Sequence, residues 1–140
     1  MIFSNQAQEK VNTVFKKYEV KFAYLFGSRA TGKANKNSDY DFAVMLPREI
    51  SADERFNKRL KMIGEVVGAL KNNKVDLIVL NDTRSVLLKF AVIYEGKVIY
   101  DKDHDDRVDF EVMAMNYYYD FSPFLNAYNK AYLKRELAKN

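Results

Sequence analysis

The sequence predicts an α/β (α+β) domain: a small mixed sheet flanked by helices, with a helical C-terminal tail. Three observations predict it. Stretches with helical spacing alternate with short apolar runs of strand type over the first 100 residues. The length of 140 residues is that of one domain. No internal repeat or low-complexity tract divides the chain. It reads as a single domain over 1–140, with a core over 1–100 and a helical extension over 101–140.

Each element has its own local reason. Asn5 to Tyr18 places Ala7, Val11, Val14, Phe15 and Tyr18 on one helical face. Val20 to Phe26 alternates Val20, Phe22, Tyr24 and Phe26, as a strand does. Gly27 to Ser38 is a polar connection with room for one helical turn at its start. Asp39 to Leu46 is a second strand, stopped by Pro47. Ser51-Ala52-Asp53-Glu54 is a capping box. It opens a helix with an expected core stripe of Phe56, Leu60, Ile63, Val67 and Leu70, and Asn72-Asn73 ends it. Gly64 and Gly68 share one face of that helix and suggest close packing. Val75 to Leu80 is an apolar strand broken by Asp76. A helix from about Thr83 to Glu95 has Gly96 as its expected cap. Lys97 to Tyr100 reads as a short edge strand, and Asp101 to Asp106 as a charged loop. From Arg107 to about Leu137 the spacing is helical, with Ser122-Pro123 marking a fresh start or a kink.

Composition narrows the class. Nearly half of the residues are apolar (48%), but no run is long enough to span a bilayer. The opening MIFSNQAQEK lacks the basic and long apolar stretches of a signal peptide. There is no cysteine, so disulfides and thiolate metal sites are excluded, which suits a cytoplasmic protein. The net charge of +4 favours acidic partners such as nucleotides, or is simple lysine enrichment for solubility. The lysines are scattered, so direct nucleic-acid binding is not expected.

The chemistry concentrates in GSRATGKANKNSDYDF, residues 27–42. Gly-Ser-x10-Asp-x-Asp arises by chance in roughly one in several hundred chains of this length. Here apolar runs flank it, VKFAYLF before and FAVML after. On a strand Asp39 and Asp41 point the same way. Two carboxylates at that spacing can grip a hard cation, and magnesium keeps waters and shares substrate phosphates. Asp76, a charge in an apolar strand, is costly unless paired or metal-bound, and is a third ligand or a proton acceptor. Gly27 lets a phosphate approach the backbone, Ser28 offers a hydroxyl, and Arg29 can neutralise a triphosphate oxygen. Separately these residues also read as a turn, a cap and an edge aspartate; together they read as an ATP- and Mg2+-binding site.

On these residues the chain resembles the nucleotidyltransferase superfamily that includes DNA polymerase beta. Within it, the short length and the tail DFEVMAMNYYYDFSPFLNAY are similar to the minimal nucleotidyltransferases that act as antitoxins to HEPN (HepT-like) toxins. The resemblance implies the nucleotidyltransferase fold and transfer of AMP from ATP to a tyrosine of the toxin, which silences a ribonuclease. It implies that Gly27 and Ser28 bind the triphosphate and that Asp39, Asp41 and Asp76 hold magnesium. A hetero-oligomer with the toxin follows from the same resemblance. Two other readings stand beside it: an antitoxin that acts by contact alone, and nucleotidyl transfer to a small molecule such as an aminoglycoside.

Other features read more plainly. His104, among Asp103, Asp105 and Asp106, suggests a solvated loop rather than a metal site. In the tail, Val108, Val112, Met115 and Tyr119 form one stripe, and Phe110, Ala114, Tyr117 and Phe121 another. A helix apolar on most faces needs cover, from its own domain or from a partner.

Overall fold

Ser4 opens the first helix, α1 (Asn5–Lys17), by accepting a hydrogen bond from the Ala7 amide at 3.1 Å. The computed structural model describes the backbone of residues 3–138 and the side chains of residues 3–123. After α1 come β1 (Phe22–Phe26), the one-turn helix α2 (Ser28–Thr31) and β2 (Tyr40–Met45). Then follow α3 (Ala52–Leu70), β3 (Val75–Val79), a 3-10 turn (Leu80–Asp82), α4 (Val86–Glu95), β4 (Lys97–Asp101) and α5 (His104–Ala138). The predicted order of helices and strands is the observed one.

The strands form one sheet in the order β3-β2-β1-β4. β1 runs antiparallel to β2 and β4, whereas β2 and β3 are parallel. A parallel pair needs a long crossover, and α3 supplies it. The alternation of side chains then makes two unequal faces. Ala23, Leu25, Phe42, Val44, Leu77 and Val79 point to one face, where α1 and α3 bring Val11, Phe15, Met62 and Val66. All of these but Val79 are wholly buried, and Phe15 meets Phe42 edge-on at 6.1 Å. Phe22, Tyr24, Ala43 and Leu80 point to the other face, covered by Val92 of α4 and Phe110 of α5.

Several local expectations are corrected. On α3 the wholly buried residues are Met62 and Val66, whereas Phe56 and Leu60 are 58% and 50% exposed. Ile63 and Leu70 of the predicted stripe pack against the same core, only partly buried. Side chains added at Gly64 or Gly68 would enter open space, so close packing does not explain them. Gly96 does cap α4, its amide donating to the Val92 carbonyl at 3.0 Å, but with an ordinary φ of −77° rather than a left-handed one. Glycine is needed there because a Cβ would lie 2.1 Å from the Val92 carbonyl oxygen. Only Lys102 and Asp103 of the charged segment 101–106 form a loop. Asp101 ends β4, and the Asp103 side chain caps α5 by accepting from the Asp106 amide at 3.1 Å. Asp105 and Asp106 occupy the first turn of α5, where negative charge suits the helix dipole.

α5 continues through Pro123. Proline lacks the N–H that would bond the carbonyl four residues back, which is Tyr119. Ser122 supplies the missing donor: its hydroxyl donates to the Tyr119 carbonyl at 3.1 Å. The inward face of this helix is Phe110 and Ala114, as in one predicted stripe, but continues to Tyr118 rather than to Tyr117 and Phe121. Tyr118 stacks on Phe90 of α4 with ring centroids 3.7 Å apart, while Tyr117 and Phe121 are exposed. The side chains of FLNAY at 124–128, part of the predicted tail resemblance, lie outside the described residues.

Candidate active site

The sheet brings the sequence-predicted residues to one end of β1, β2 and β3. Gly27 follows the last residue of β1, and Asp41 pairs with Phe26 across the antiparallel ladder. In the parallel ladder Asp41 stands opposite Asp76. The two carboxylates are therefore neighbours on adjacent strands, on the face that carries Ala43 and Ile78. Asp39 lies one residue before β2 and is exposed.

Gly27 is dictated by this arrangement. Its φ is +76°, in the region that disfavours side chains. A Cβ at this position would come within 2.4 Å of Asp41 Oδ2. The glycine thus lets the chain turn into α2 while the Asp41 carboxylate lies against it. Ser28 is the first residue of α2, and the Ala30 amide closes the turn on the Gly27 carbonyl at 3.0 Å.

The electrostatics are those of an unbalanced acidic cluster. Burial pushes the Asp41 carboxyl above its ordinary range, and the negative charges of Asp76 and then Asp39 push it the same way. Among the described residues, no three His, Asp or Glu side chains converge closely enough to form a finished ion cage. Magnesium does not require one, since it retains waters and takes substrate phosphates as ligands. A half-buried carboxylate set against two others, beside a glycine that leaves room, is a donor set that fits a hard cation. Asp39, Asp41 and Asp76 are the residues that would hold it.

Arg29, expected to neutralise a phosphate oxygen, also has partners within the protein. Its Nε and one terminal nitrogen donate to the Ser38 carbonyl at 3.2 and 2.9 Å. Its guanidinium also lies 3.9 Å from the centre of the Tyr40 ring. Arg29 therefore braces the segment on both sides of Asp39. Sequence reading missed this brace because the acceptor is a backbone carbonyl, which carries no residue signal.

It also missed Arg59. From α3 this side chain donates through Nε to the Leu77 carbonyl at 2.7 Å, and its terminal nitrogen lies 3.5 Å from Asp76 Oδ1. That same carboxylate oxygen accepts from the Leu77 amide at 2.9 Å. Asp76 is thus a water-facing residue on an edge strand and also a partner of Asp41. His104, by contrast, sits far along the chain, with Nδ1 at 3.1 Å from both Asp101 and Arg107.

Comparison with known proteins agrees with this geometry. Residues 9–105 match the family model described as polymerase beta, nucleotidyltransferase. The chain belongs to that nucleotidyltransferase family. Among curated members it is 33% identical over 98 residues to protein adenylyltransferase MntA of Aphanizomenon flos-aquae, covering 62% of this chain and 61% of that relative. The chain therefore aligns with about three-fifths of that relative's length. It is 29% identical over 100 residues to protein adenylyltransferase MntA of Shewanella oneidensis, covering 71% of this chain and 67% of the relative. A crystal structure of a toxin-antitoxin with AMP-PNP superposes with a TM-score of 0.67 at 25% identity, over 93% of this chain and 98% of that one. A complex of tri-AMPylated Shewanella oneidensis HEPN toxin with MNT antitoxin shares the fold, at a TM-score of 0.62 and 22% identity, over 94% and 96% of the two chains. The nucleotidyltransferase fold expected from the sequence is the one observed.

Proposed function

We propose that the protein is a Mg2+-dependent adenylyltransferase that moves AMP from ATP to a tyrosine hydroxyl of a HEPN (HepT-like) toxin and so neutralises it. The observation that carries this reading is the pairing of Asp41 with Asp76 beside Gly27, at the strand ends where a nucleotide's phosphates can reach the backbone. The names of the MntA relatives and the nucleotide-bound toxin-antitoxin neighbour support the substrate and partner.

Residue roles follow from placement. Gly27 and Ser28 would receive the triphosphate tail, because no side chain blocks the backbone there. Asp39, Asp41 and Asp76 would hold magnesium, which when bound offsets the charge of the phosphates. Asp76, exposed on the edge strand, would accept the proton of the acceptor hydroxyl. Arg29 would keep Asp39 in position and leave its remaining nitrogen for the phosphates. We take residues 1–100 as the catalytic core and α5 as the extension. The exposed Val112, Met113, Tyr117 and Phe121 of α5 are the surface that a hetero-oligomer would cover. Among the described residues no helix is long and apolar enough to cross a membrane, and we place the protein in the cytoplasm.

The test is incubation with labelled ATP, magnesium and a HEPN (HepT-like) toxin from the same genome. The wild type should transfer AMP, and Asp41→Ala should lose about 100-fold or more of the rate, equivalent to about 2.7 kcal/mol of barrier. Full transfer by Asp41→Ala would remove the site from this assignment. Rescue of cells by Asp41→Ala without transfer would make contact, not catalysis, the working mechanism.

A further inference from the structure

The three site aspartates differ in their company. Among the described residues Asp39 and Asp41 pair with no lysine or arginine, whereas Asp76 Oδ1 lies 3.5 Å from a terminal nitrogen of Arg59. That guanidinium is held in place. Its Nε donates to the Leu77 carbonyl at 2.7 Å, so its charge is fixed to the backbone of the strand that carries Asp76. The Arg59 side chain is 33% exposed, against 58% for Asp76.

The orientation of Asp76 does not depend on this arginine. Its Oδ1 already accepts from the Leu77 amide at 2.9 Å, a bond within the strand itself. An exposed ion pair adds little further hold to a carboxylate so fixed. What Arg59 adds is a positive charge that stays beside the carboxylate whatever else arrives. A metal ion that takes Asp76 as a ligand has this charge as a neighbour of like sign, and the two repel even where water screens them in part. A triphosphate changes the balance, because its negative oxygens serve as ligands to the ion and offset both cations.

We infer that Arg59 is a fixed counter-charge on Asp76, which weakens the hold of the carboxylates on a metal ion until a triphosphate is present. Acting through Asp76, it is a positioning residue rather than a catalytic one. The aspartates alone then bind a divalent cation poorly, and bind it well together with the nucleotide. This inference rests on the reading above that Asp76 is a metal ligand.

Metal titration of the full chain tests it without a toxin and without turnover. Mn2+ is the probe, followed by its electron paramagnetic resonance signal, with and without a non-hydrolysable ATP analogue. Arg59→Gln removes the charge and keeps a donor for the Leu77 carbonyl. It should bind Mn2+ alone about three- to tenfold more tightly than the wild type. With the analogue the difference should shrink to about twofold or less, because the phosphates offset the charge. Arg59→Lys keeps the charge and should stay near the wild type. Phe56→Glu leaves both Leu77 contacts in place, at an exposed position three residues before Arg59 on α3. Its carboxylate should pair with the guanidinium and tighten Mn2+ binding by a smaller factor. That variant decides the matter if Arg59→Gln aggregates. Unchanged Mn2+ binding in Arg59→Gln and Phe56→Glu would overturn the inference. Weaker binding in Arg59→Gln would overturn it too, because Arg59 would then orient Asp76 instead. Equal tightening in Arg59→Lys would do the same, since charge would not be the cause. If the wild type takes up no Mn2+ even with the analogue, the metal-site reading itself falls, and the inference with it.

Discussion

The two faces of the sheet differ in what their polar chemistry is allowed to do. Under α1 and α3 the face is apolar throughout, with aromatic and aliphatic side chains fully withdrawn from water. Under α4 and α5 the buried cluster is smaller, and the same strands carry Asp41 and Asp76 at one end. At the opposite end of β2, the Asn81 side chain bonds both backbone groups of Leu46, at 2.9 and 2.8 Å. There both backbone groups have a neutral partner. The contrast teaches that one strand can be anchored at one end and electrostatically unsettled at the other. The anchored end and face hold the unsettled carboxylates where a cation and phosphates can use them.

The sharpest way to break this comparison is to hollow the anchored face. Phe42→Ala should cost about 3–5 kcal/mol in denaturant unfolding, whereas Phe56→Ala should stay within about 0.5 kcal/mol. Similar losses would mean that Phe56 is core after all. Gly27→Ala acts at the other end. It forces a side chain into positive φ at about 1–3 kcal/mol, and it must displace Asp41, so nucleotide transfer should fall far more than stability does. A third variant asks what Arg29 does. A lysine keeps the charge but cannot hold the Ser38 carbonyl with two nitrogens and stack on Tyr40. If the brace matters, Arg29→Lys should weaken ATP-analogue binding about as much as Arg29→Ala. If phosphate charge matters, lysine should keep most of the affinity.

Smaller effects come from the α4–α5 cover. Tyr118→Ala should lose about 0.5–1.5 kcal/mol through its stack on Phe90, while Tyr117→Ala should weaken only toxin binding. Equal destabilisation by both would move Tyr117 inside. The smallest effect concerns Asp41 itself. Its carboxyl binds a proton more tightly in the folded chain than at the ordinary value of 3.8. Stability of the metal-free protein should therefore fall as pH rises from about 4 through that raised value. Asp41→Asn should remove that slope and raise the neutral-pH melting temperature slightly. A lower melting temperature would show that the charged form is favoured without metal.

Much of this was legible in the sequence, because strands and helices carry period. The Gly-Ser and Asp-x-Asp motif fell between two strands, and Asp76 fell on a third in register with Asp41. Spacing on helices was less secure. The α3 stripe through Phe56 and Leu60 is apolar yet exposed, since periodicity reports a hydrophobic face and not what lies against it. The α5 stripe slipped by one residue at Tyr117 for the same reason. DKDHDD looked like a loop because capping carboxylates and loop carboxylates have the same composition. The brace made by Arg29 and the contact made by Arg59 could not be read, as both act on backbone carbonyls set by the fold.

The contacts of Arg59 and Asp76 reach beyond the reaction. β3 ends the sheet, and an exposed strand edge is a template on which a second chain can pair. At Leu77 that template is blocked: a guanidinium takes the carbonyl and a carboxylate takes the amide. A newly made molecule whose Asp76 is already in place therefore cannot recruit a neighbour's strand at this point. Replacing Asp76 or Arg59 would uncover a short, apolar VDLIV edge. Such variants should be more prone to cross-strand aggregation as well as slower, so the acidic residue also protects solubility.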